Sequence, residues 1–220
     1  MIKEKIDKFY LDREKERDRH HFYITEAGRC PRAVYFNFKK VPKKAKEARV
    51  LRVFDHGDYT HMRIMSVLFS IGAVKAVEVS LQTELIHGRA DGIVTIDNEP
   101  YVIELKSINS VGFRKLEKPK KEHIKQLQLY LHYFKIPKGI FIYENKDTQE
   151  LKEFIIEYDQ KLAESIISDF ATLKHFISND IVPPIPFGLE DWECAYCDYA
   201  EECERIREAE LKKQEEKAEE

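Results

Sequence analysis

Residues 85–107 read LIHGRADGIVTIDNEPYVIELKS and contain the pattern that decides the fold. Two segments rich in β-branched residues, 85–96 and 101–107, flank the turn sequence DNEP, so the stretch predicts an antiparallel pair of strands. Side chains alternate along a strand, and Glu104 and Lys106 therefore share one face. The apolar residues next to them point to the opposite face, which indicates a strand in the interior of a sheet.

The turn sequence DNEP allows two registers for this pair of strands. If all four residues form the loop, Asp91 lies opposite Lys106. If only the first two residues form it, Asp91 lies opposite Glu104, and Pro100 then occupies a strand position where it cannot donate a hydrogen bond. Both registers place the two carboxylates and the ammonium group on one face of the sheet, within side-chain reach of each other.

Two carboxylates and an ammonium group on one sheet face predict a metal-dependent site. A divalent cation relieves the repulsion between Asp91 and Glu104, and oxygen ligands of this kind suit Mg²⁺ or Mn²⁺. A bound cation lowers the pKa of its water and polarises a phosphate, while Lys106 orients the nucleophile or stabilises developing negative charge. The alternative is a surface strand with a cross-strand salt bridge.

Periodicity outward from this hairpin predicts helices around a mixed sheet. On the N-terminal side, helical spacing and capping predict helices at residues 2–22, from Thr25 to about Asn37 and at 48–70, and a strand at 74–81. On the C-terminal side, the patterns predict a helix at 122–134, strands at 139–143 and 151–158, and a helix at 160–178. The order predicts an α/β or α+β fold with a central mixed β-sheet flanked by helices.

The helix predicted at 122–134 has a polar stripe. His123, Gln126 and Tyr130 stand at positions i, i+3 and i+7 and therefore share one helical face. Such a stripe can position a water or a phosphate oxygen, although a half-exposed polar face is the commoner meaning. His61, on the earlier helix, is a candidate third metal ligand only if a partner site lies beside it.

All four cysteines fit one ligand pattern. Cys194 and Cys197 form a C-x₂-C step, Cys203 follows after five residues, and Cys30 stands near the N-terminus. Four thiolates can hold either Zn²⁺ or an iron–sulfur cluster, and the spacing does not separate the two. Four free buried thiols are the remaining alternative.

Composition indicates a globular domain without a membrane span. The 220 residues are 35% charged and 43% hydrophobic, and the formal net charge is −3. No apolar run reaches the roughly 18 residues that a membrane-spanning helix needs, and the N-terminus lacks a signal-peptide pattern. We therefore expect a reducing, cytoplasmic setting, in which cysteines are more often metal ligands than disulfide partners. Residues 39–49 and 114–125 are basic clusters that either contact phosphates or form a solvated surface.

The series Gly57…His61, Asp91, Glu104-Leu105-Lys106 and Gln126…Tyr130 resembles the RecB-like branch of the PD-(D/E)XK nucleases, over roughly residues 24–204. The resemblance implies a restriction-endonuclease-like core. It implies catalytic roles for Asp91, Glu104, Lys106, Gln126 and Tyr130. It further implies that the metal is bound by His61, Asp91, Glu104 and the backbone carbonyl of Leu105.

The cysteine pattern is similar to that of the CRISPR-associated RecB-like iron–sulfur exonucleases. The resemblance implies a [4Fe–4S] cluster that joins the N- and C-terminal segments, with four ligands: Cys30, Cys194, Cys197 and Cys203. Together with the charge pattern, the resemblance over residues 24–204 predicts three regions: a charged N-terminal helix at 1–23, the nuclease domain at 24–204 and a charged tail at 205–220.

The expected function is metal-dependent hydrolysis of DNA, with 5′→3′ exonuclease action on single strands or overhanging ends. The expected setting is CRISPR adaptation beside integrase proteins. One alternative is a stand-alone repair, recombination or viral nuclease of the same group. An alternative of another class is a non-catalytic DNA-binding module with an iron–sulfur or zinc site.

Overall fold

The structure is a computed structural model that describes residues 1–13, 19–186 and 191–219. Within these ranges the chain forms eight α-helices: α1 (Ile2–Arg13), α2 (Pro31–Phe38), α3 (Ala48–Ser70), α4 (Ser110–Lys115), α5 (Lys121–Phe134), α6 (Gln160–Ser178), α7 (Asp191–Ala195) and α8 (Ala200–Glu219). It also forms six strands: β1 (Phe22–Tyr23), β2 (Val74–Gln82), β3 (Ile86–Ile96), β4 (Glu99–Ile108), β5 (Lys138–Asn145) and β6 (Leu151–Glu157).

The six strands form one mixed sheet in the order β1-β3-β4-β5-β6, with β2 on the other edge of β3. The pairs β2–β3, β3–β4 and β5–β6 are antiparallel, whereas β4–β5 and β1–β3 are parallel. β3 pairs with β2 along one edge. Along its opposite edge, β3 pairs with β1 at residues 86–87 and with β4 at residues 92–96. The predicted α/β fold with a mixed central sheet is confirmed.

The β3–β4 hairpin has the two-residue turn, and Asp91 is therefore in register with Glu104. Ile96 pairs with Glu99, and both turn residues between them have positive φ, which is the geometry of a type I′ turn. Pro100 lies opposite Thr95, whose N–H donates instead to Ala73 on the other side of β3. This pair is a non-hydrogen-bonded one, so the missing N–H of Pro100 breaks no bond with β3.

The face of β4 opposite Glu104 packs into the apolar core. Ile103 and Leu105 are buried with Val94 and with Ile140, which is the residue of β5 next to Ile103. Ile64 of α3 covers this cluster. β4 therefore lies in the interior of the sheet, as the sequence pattern predicts.

The helix predicted from Thr25 to Asn37 is wrong at its start. Residues 24–26 form a short 3₁₀ turn, and α2 begins only at Pro31, with Cys30 at its N-cap position. Gly28 interrupts the segment because its φ is +80°, a left-handed conformation incompatible with a continuing helix. Proline suits the first turn of a helix, where its missing N–H has no intrahelical role.

The chain divides into two compact units. The first comprises residues 1–28 and 46–170, and the second comprises residues 29–45 and 171–220. All six strands belong to the first unit, and all four cysteines belong to the second. Among the residues that the structure describes, none of the helices combines the length and apolar character that a bilayer span requires.

Candidate active site

Glu104 lies on β4 in the first unit, and its side chain is buried, with 1% of its surface exposed. Both donors near it bind the same oxygen: Lys106 Nζ donates to Oε2 at 2.7 Å, and Gln126 Nε2 donates to Oε2 at 3.1 Å. Oε1 is buried and has no hydrogen-bond partner among the described residues. A buried carboxylate oxygen without a partner is unfavourable unless a further group binds it.

Asp91 lies on β3 and contacts both the adjacent strand and helix α3. Its Oδ1 is 3.1 Å from His61 Nδ1, and its Oδ2 accepts a hydrogen bond of 2.6 Å from the backbone N–H of Leu105. His61 therefore contributes an imidazole to the same cluster as Asp91. The N–H and C=O of a strand residue point to the same edge, so the Leu105 carbonyl faces the same side of β4 as its N–H.

The backbone explains why Asp91 can reach Leu105. Pairing between β3 and β4 ends at Gly92 and Ile103, while β1 pairs with β3 only at Ile86 and His87. Residues 88–91 of β3 thus have no strand partner on this edge. The Asp91 side chain accepts the bond that a backbone carbonyl of β3 would otherwise accept.

The pKa values of Glu104, Lys106 and His61 depend on the charges of their neighbours in this cluster. Burial raises the pKa of Glu104 to about 7, and the Asp91 carboxylate adds to that rise, while Lys106 opposes it. Burial alone would lower the pKa of Lys106, but the carboxylates of Glu104 and Asp91 raise it above its ordinary value. Burial also acts to lower the pKa of His61, and its hydrogen bond with Asp91 raises it overall. The four groups occupy one electrostatic neighbourhood.

The polar stripe of α5 divides between two environments. Gln126 is buried against Glu104, and Tyr130 is fully buried one turn further along the helix. Burial raises the pKa of Tyr130, whose hydroxyl lies near Gln126 and the backbone of Arg89 but makes no hydrogen bond of good geometry among the described residues. His123 instead pairs through Nδ1 with the hydroxyl of Tyr143 at 2.7 Å.

The donor set of this site fits a divalent cation. In the part of the chain that the structure describes, no three His, Cys, Asp or Glu side chains already form a closed metal-binding group. The acids are instead turned onto neighbouring donors, since Glu104 binds Lys106 and Asp91 binds His61. Glu104 Oε1, which has no hydrogen-bond partner among the described residues, and the Asp91 carboxylate supply the oxygen donors that Mg²⁺ or Mn²⁺ takes, and His61 adds a nitrogen donor beside them.

One ion pair beside this site, between an exposed arginine and a buried glutamate, does not follow from the sequence pattern. Glu144 of β5 is 2% exposed and pairs with Arg63 of α3, two residues after His61. In the parallel register, Glu144 lies beside Ser107, the residue after Lys106. The strand predicted at 139–143 ends one residue too early to include Glu144.

All four cysteines belong to the second unit, although within the described ranges no three of them form a closed metal-binding group. Burial raises the pKa of Cys197, and the nearby thiols of Cys30 and Cys203 raise it further. Cys203 Sγ accepts a hydrogen bond of 3.7 Å from the buried Arg32, and Cys197 Sγ accepts one of 3.4 Å from the backbone N–H of Tyr199. Cys194 is exposed, and its carbonyl accepts from the N–H of Cys197. Thiols from both chain segments of this unit are therefore near neighbours.

The sequence matches the family model of the PD-(D/E)XK nuclease superfamily over residues 8–204. The CRISPR-associated exonuclease Cas4 of Saccharolobus solfataricus (strain ATCC 35092 / DSM 1617 / JCM 11322 / P2) is 29% identical, in an alignment that covers 92% of this chain and 95% of that protein. The crystal structure of SSO0001 is similar with a TM-score of 0.60 and 27% identity, covering 91% of this chain and 95% of the other.

The alkaline exonuclease LHK-Exo from Laribacter hongkongensis shares the fold at a TM-score of 0.52 and 15% identity, covering 80% of this chain and 93% of that one. The family match spans most of the chain, including the two strands and the helix around Glu104. This chain belongs to the PD-(D/E)XK nuclease superfamily.

Proposed function

We propose that this nuclease is a metal-dependent DNA exonuclease that hydrolyses phosphodiester bonds at single-stranded or overhanging ends, with 5′→3′ polarity. The observation that supports the metal site is Glu104 Oε1, which is buried, partnerless among the described residues and close to Asp91. The similarity to a protein named as a CRISPR-associated exonuclease supports exonuclease activity, and the 5′→3′ polarity comes from the family resemblance of the sequence.

In this proposal four groups hold Mg²⁺ or Mn²⁺: the imidazole of His61, the carboxylates of Asp91 and Glu104, and the backbone carbonyl of Leu105. When bound, the cation polarises a phosphate and lowers the pKa of a water molecule. Asp91 and Glu104 supply the negative charge that retains the cation. Both carboxylates are held in place by donors from elsewhere in the first unit, which limits their rearrangement.

Lys106, Gln126 and Tyr130 act around the metal ligands in the same proposal. Lys106 places a positive charge beside Glu104, where it orients the attacking water or stabilises charge that develops on the phosphate. Gln126 fixes Glu104 Oε2 and so directs Oε1 away from the helix amide. The Tyr130 hydroxyl is one turn away and can donate a hydrogen bond to a water or a phosphate oxygen.

The second unit is proposed to hold a [4Fe–4S] cluster on Cys30, Cys194, Cys197 and Cys203. Two observations support a shared site. The thiols of Cys30 and Cys203 raise the pKa of Cys197, and hydrogen bonds from Arg32 and from the Tyr199 N–H end on the sulfurs of Cys203 and Cys197. Such a cluster supplies cross-links between the segments that contain its ligands.

The proposed biological setting is CRISPR adaptation in the cytoplasm, with integrase proteins as partners of the nuclease. The support for this setting is the named relative alone. The helix predicted over residues 1–23 is too long, because α1 ends at Arg13 and Phe22–Tyr23 form strand β1. The proposed regions are therefore a charged N-terminal region at 1–23, a nuclease domain at 24–204 and a charged tail at 205–220.

The test uses the full-length protein and end-labelled single-stranded DNA with Mn²⁺, with Mg²⁺ and with chelator. We expect cleavage from the ends with either metal and none with chelator. Glu104→Gln should abolish cleavage, because the neutral amide offers the cation no charge. Lys106→Ala should slow turnover on the order of 10²- to 10³-fold, as loss of one charge-stabilising donor does elsewhere.

Glu99→Gln is the matched control, since Glu99 lies on the same strand, is exposed and pairs with Lys138. It should cleave as the unaltered protein does. Mn²⁺-dependent cleavage by Glu104→Gln at the normal rate would contradict the proposed site. DNA binding without cleavage by the unaltered protein would favour a non-catalytic DNA-binding module.

A further inference from the structure

Residues 109–121 join β4, which contains Glu104 and Lys106, to α5, which contains Gln126, and they concentrate positive charge. We call these residues the basic segment. The segment contains five basic residues and one acidic residue, a formal charge of +4 in a chain whose total is −3. It starts three residues after Lys106 and ends five residues before Gln126. Its two ends therefore connect to groups of the site described above.

The middle of the basic segment is fixed to the sheet by a lysine of β6. Lys152 Nζ donates to the backbone carbonyls of Phe113 and Leu116, at 2.7 and 2.9 Å, and lies 4.7 Å from the centre of the Phe113 ring. Phe113, Leu116 and Pro119 are buried. The backbone is thus held by its apolar side chains and by a cation that faces inward.

The beginning of the segment is held in the same way. The backbone N–H and the hydroxyl of Ser110 both donate to Asp147, at 2.8 and 2.6 Å. The hydroxyl also lies 3.0 Å from Oδ1 of the buried Asn145, and Asn109 caps the first turn of α4 by accepting from Gly112 at 2.8 Å. These contacts hold the backbone of the segment at both ends of α4, so the scaffold fixes where its side chains leave the backbone.

The cations of this fixed backbone face solvent. Five are exposed: Arg114, Lys115, Lys118, Lys120 and Lys121. None of the five has a carboxylate within ion-pair distance among the described residues, whereas Lys138, Arg52 and Arg63 of the same unit do. Neighbouring cations on a rigid backbone repel one another, and a polyanion that contacts several of them at once relieves that repulsion.

We propose that the basic segment binds the sugar–phosphate backbone of the DNA strand that flanks the bond being cleaved. The proposal rests on the proposed nuclease function, since it assigns the strand to the same site as Glu104. Phe113, the one aromatic residue of the segment, is buried, so the surface offers charge and no ring on which a base could stack. Recognition by this segment is therefore independent of base sequence.

The test compares two triple variants of the full chain. Lys115→Gln, Lys118→Gln and Lys121→Gln together remove three charges of the segment. Lys5→Gln, Lys75→Gln and Lys161→Gln together remove three exposed lysines elsewhere, each without a carboxylate partner among the described residues. Binding of a labelled single-stranded oligonucleotide is measured with chelator, at several salt concentrations.

We expect the Kd of the segment variant to rise about 10-fold or more at low salt. The slope of log K against log salt should decrease by about 2, because each phosphate contact in a single strand contributes about 0.7. The control variant should keep the Kd and the slope of the unaltered protein. With Mn²⁺ present, the segment variant should raise KM and retain kcat.

An unchanged Kd and salt slope in the segment variant would overturn the proposal, as would an equal loss in the control. Because binding is measured without metal, the result does not depend on catalysis. If the unaltered protein binds the oligonucleotide through the segment but never cleaves it, the proposed nuclease function fails and the binding surface stands. Matching thermal midpoints of the variants, whose altered side chains are exposed, would confirm that the fold is retained.

Discussion

The two oxygens of the Glu104 carboxylate have different surroundings. Lys106 and Gln126 both donate to Oε2, whereas Oε1 is buried without a partner among the described residues. Lys106 and Gln126 therefore orient the carboxylate through Oε2, while Oε1 accepts no hydrogen bond from the residues that the structure describes. A cation at Oε1 would complete the set without breaking either existing bond.

Removal of the Tyr130 hydroxyl tests whether this group contributes to folding or to catalysis. Its hydroxyl is buried and makes no hydrogen bond of good geometry among the described residues, so Tyr130→Phe removes a polar group that contributes little to folding. We expect the free energy of unfolding to change by less than about 0.5 kcal/mol. We expect the cleavage rate to fall on the order of 10²-fold if the hydroxyl donates to the reacting groups.

Tyr143→Phe is the matched control for this prediction. The Tyr143 hydroxyl is 2.7 Å from His123 Nδ1, so its removal should lower the free energy of unfolding by about 1 kcal/mol. Denaturant titrations of both variants, together with cleavage rates, distinguish the two roles. A large loss of stability in Tyr130→Phe with an unchanged rate would assign the hydroxyl to the fold alone.

At the residue scale, the sequence predicted which side chains meet but not which of their atoms form hydrogen bonds. The spacing of Glu104, Lys106 and Gln126 predicted that their side chains could meet. It could not predict that both donors select Oε2, because that choice depends on how a helix 22 residues away packs on the strand. The functional roles of these residues and of His61 stay predictions until the variants are measured.

Among the elements, α5 packs on β5 through a close approach that only glycine permits. A Cβ atom at Gly139 would lie 2.7 Å from a methyl carbon of Leu127, which is fully buried in α5. Gly139→Ala therefore overpacks the contact between helix and strand, and we expect a loss of about 1–3 kcal/mol in the free energy of unfolding. Thermal or denaturant unfolding measures it directly.

Gly57 provides the opposite case within α3. A Cβ atom there would meet only Ser107 Oγ, at 3.9 Å, and alanine is a better helix former than glycine. Gly57→Ala should stabilise the protein by about 0.5–1 kcal/mol. No loss of stability in Gly139→Ala would show that the approach of α5 to β5 does not determine stability, and a loss in Gly57→Ala would contradict the prediction for α3.

The elements were largely predictable, and the exceptions have local causes. The helix predicted at 48–70 and the strand predicted at 85–96 agree with α3 and β3 within a residue, because long periodic patterns dominate there. The register of the hairpin stayed open because Pro100 argued against the shorter turn, and pattern alone does not reveal that it falls at a non-hydrogen-bonded pair. Thr25 was a plausible cap, but Gly28 prevents the helix from continuing.

In the whole molecule, the candidate nuclease site and the cysteines belong to different compact units. If the cysteines hold a cluster, its loss should weaken the second unit first. We expect Cys197→Ser to lower the iron content and to increase amide hydrogen exchange in residues 29–45 and 171–186. Exchange in the strands of the first unit should change little, because their backbone bonds lie within the sheet.

Cys203→Ser should behave like Cys197→Ser, and a serine substitution outside the pattern, such as Ala73→Ser in the first unit, should change neither iron content nor exchange in the second. Full iron loading of Cys197→Ser would contradict the proposed ligand set. A colourless protein with bound zinc would replace the cluster by a zinc site. The nuclease domain at 24–204 stays a prediction. The two compact units follow from contacts within the chain, and their boundaries do not coincide with those of this domain.

The carboxylate of Asp91 also links two strands, because it accepts a hydrogen bond from the backbone of β4. Because β4 leaves β3 after the pair of Gly92 and Ile103, the Leu105 N–H is bound by a side chain where a carbonyl would ordinarily be. Alanine at position 91 would remove this acceptor together with the charge, whereas asparagine would keep an oxygen able to receive the same bond. One side chain thus supplies both the acceptor for the Leu105 N–H and a negative charge beside Glu104, and asparagine at this position would separate the two roles.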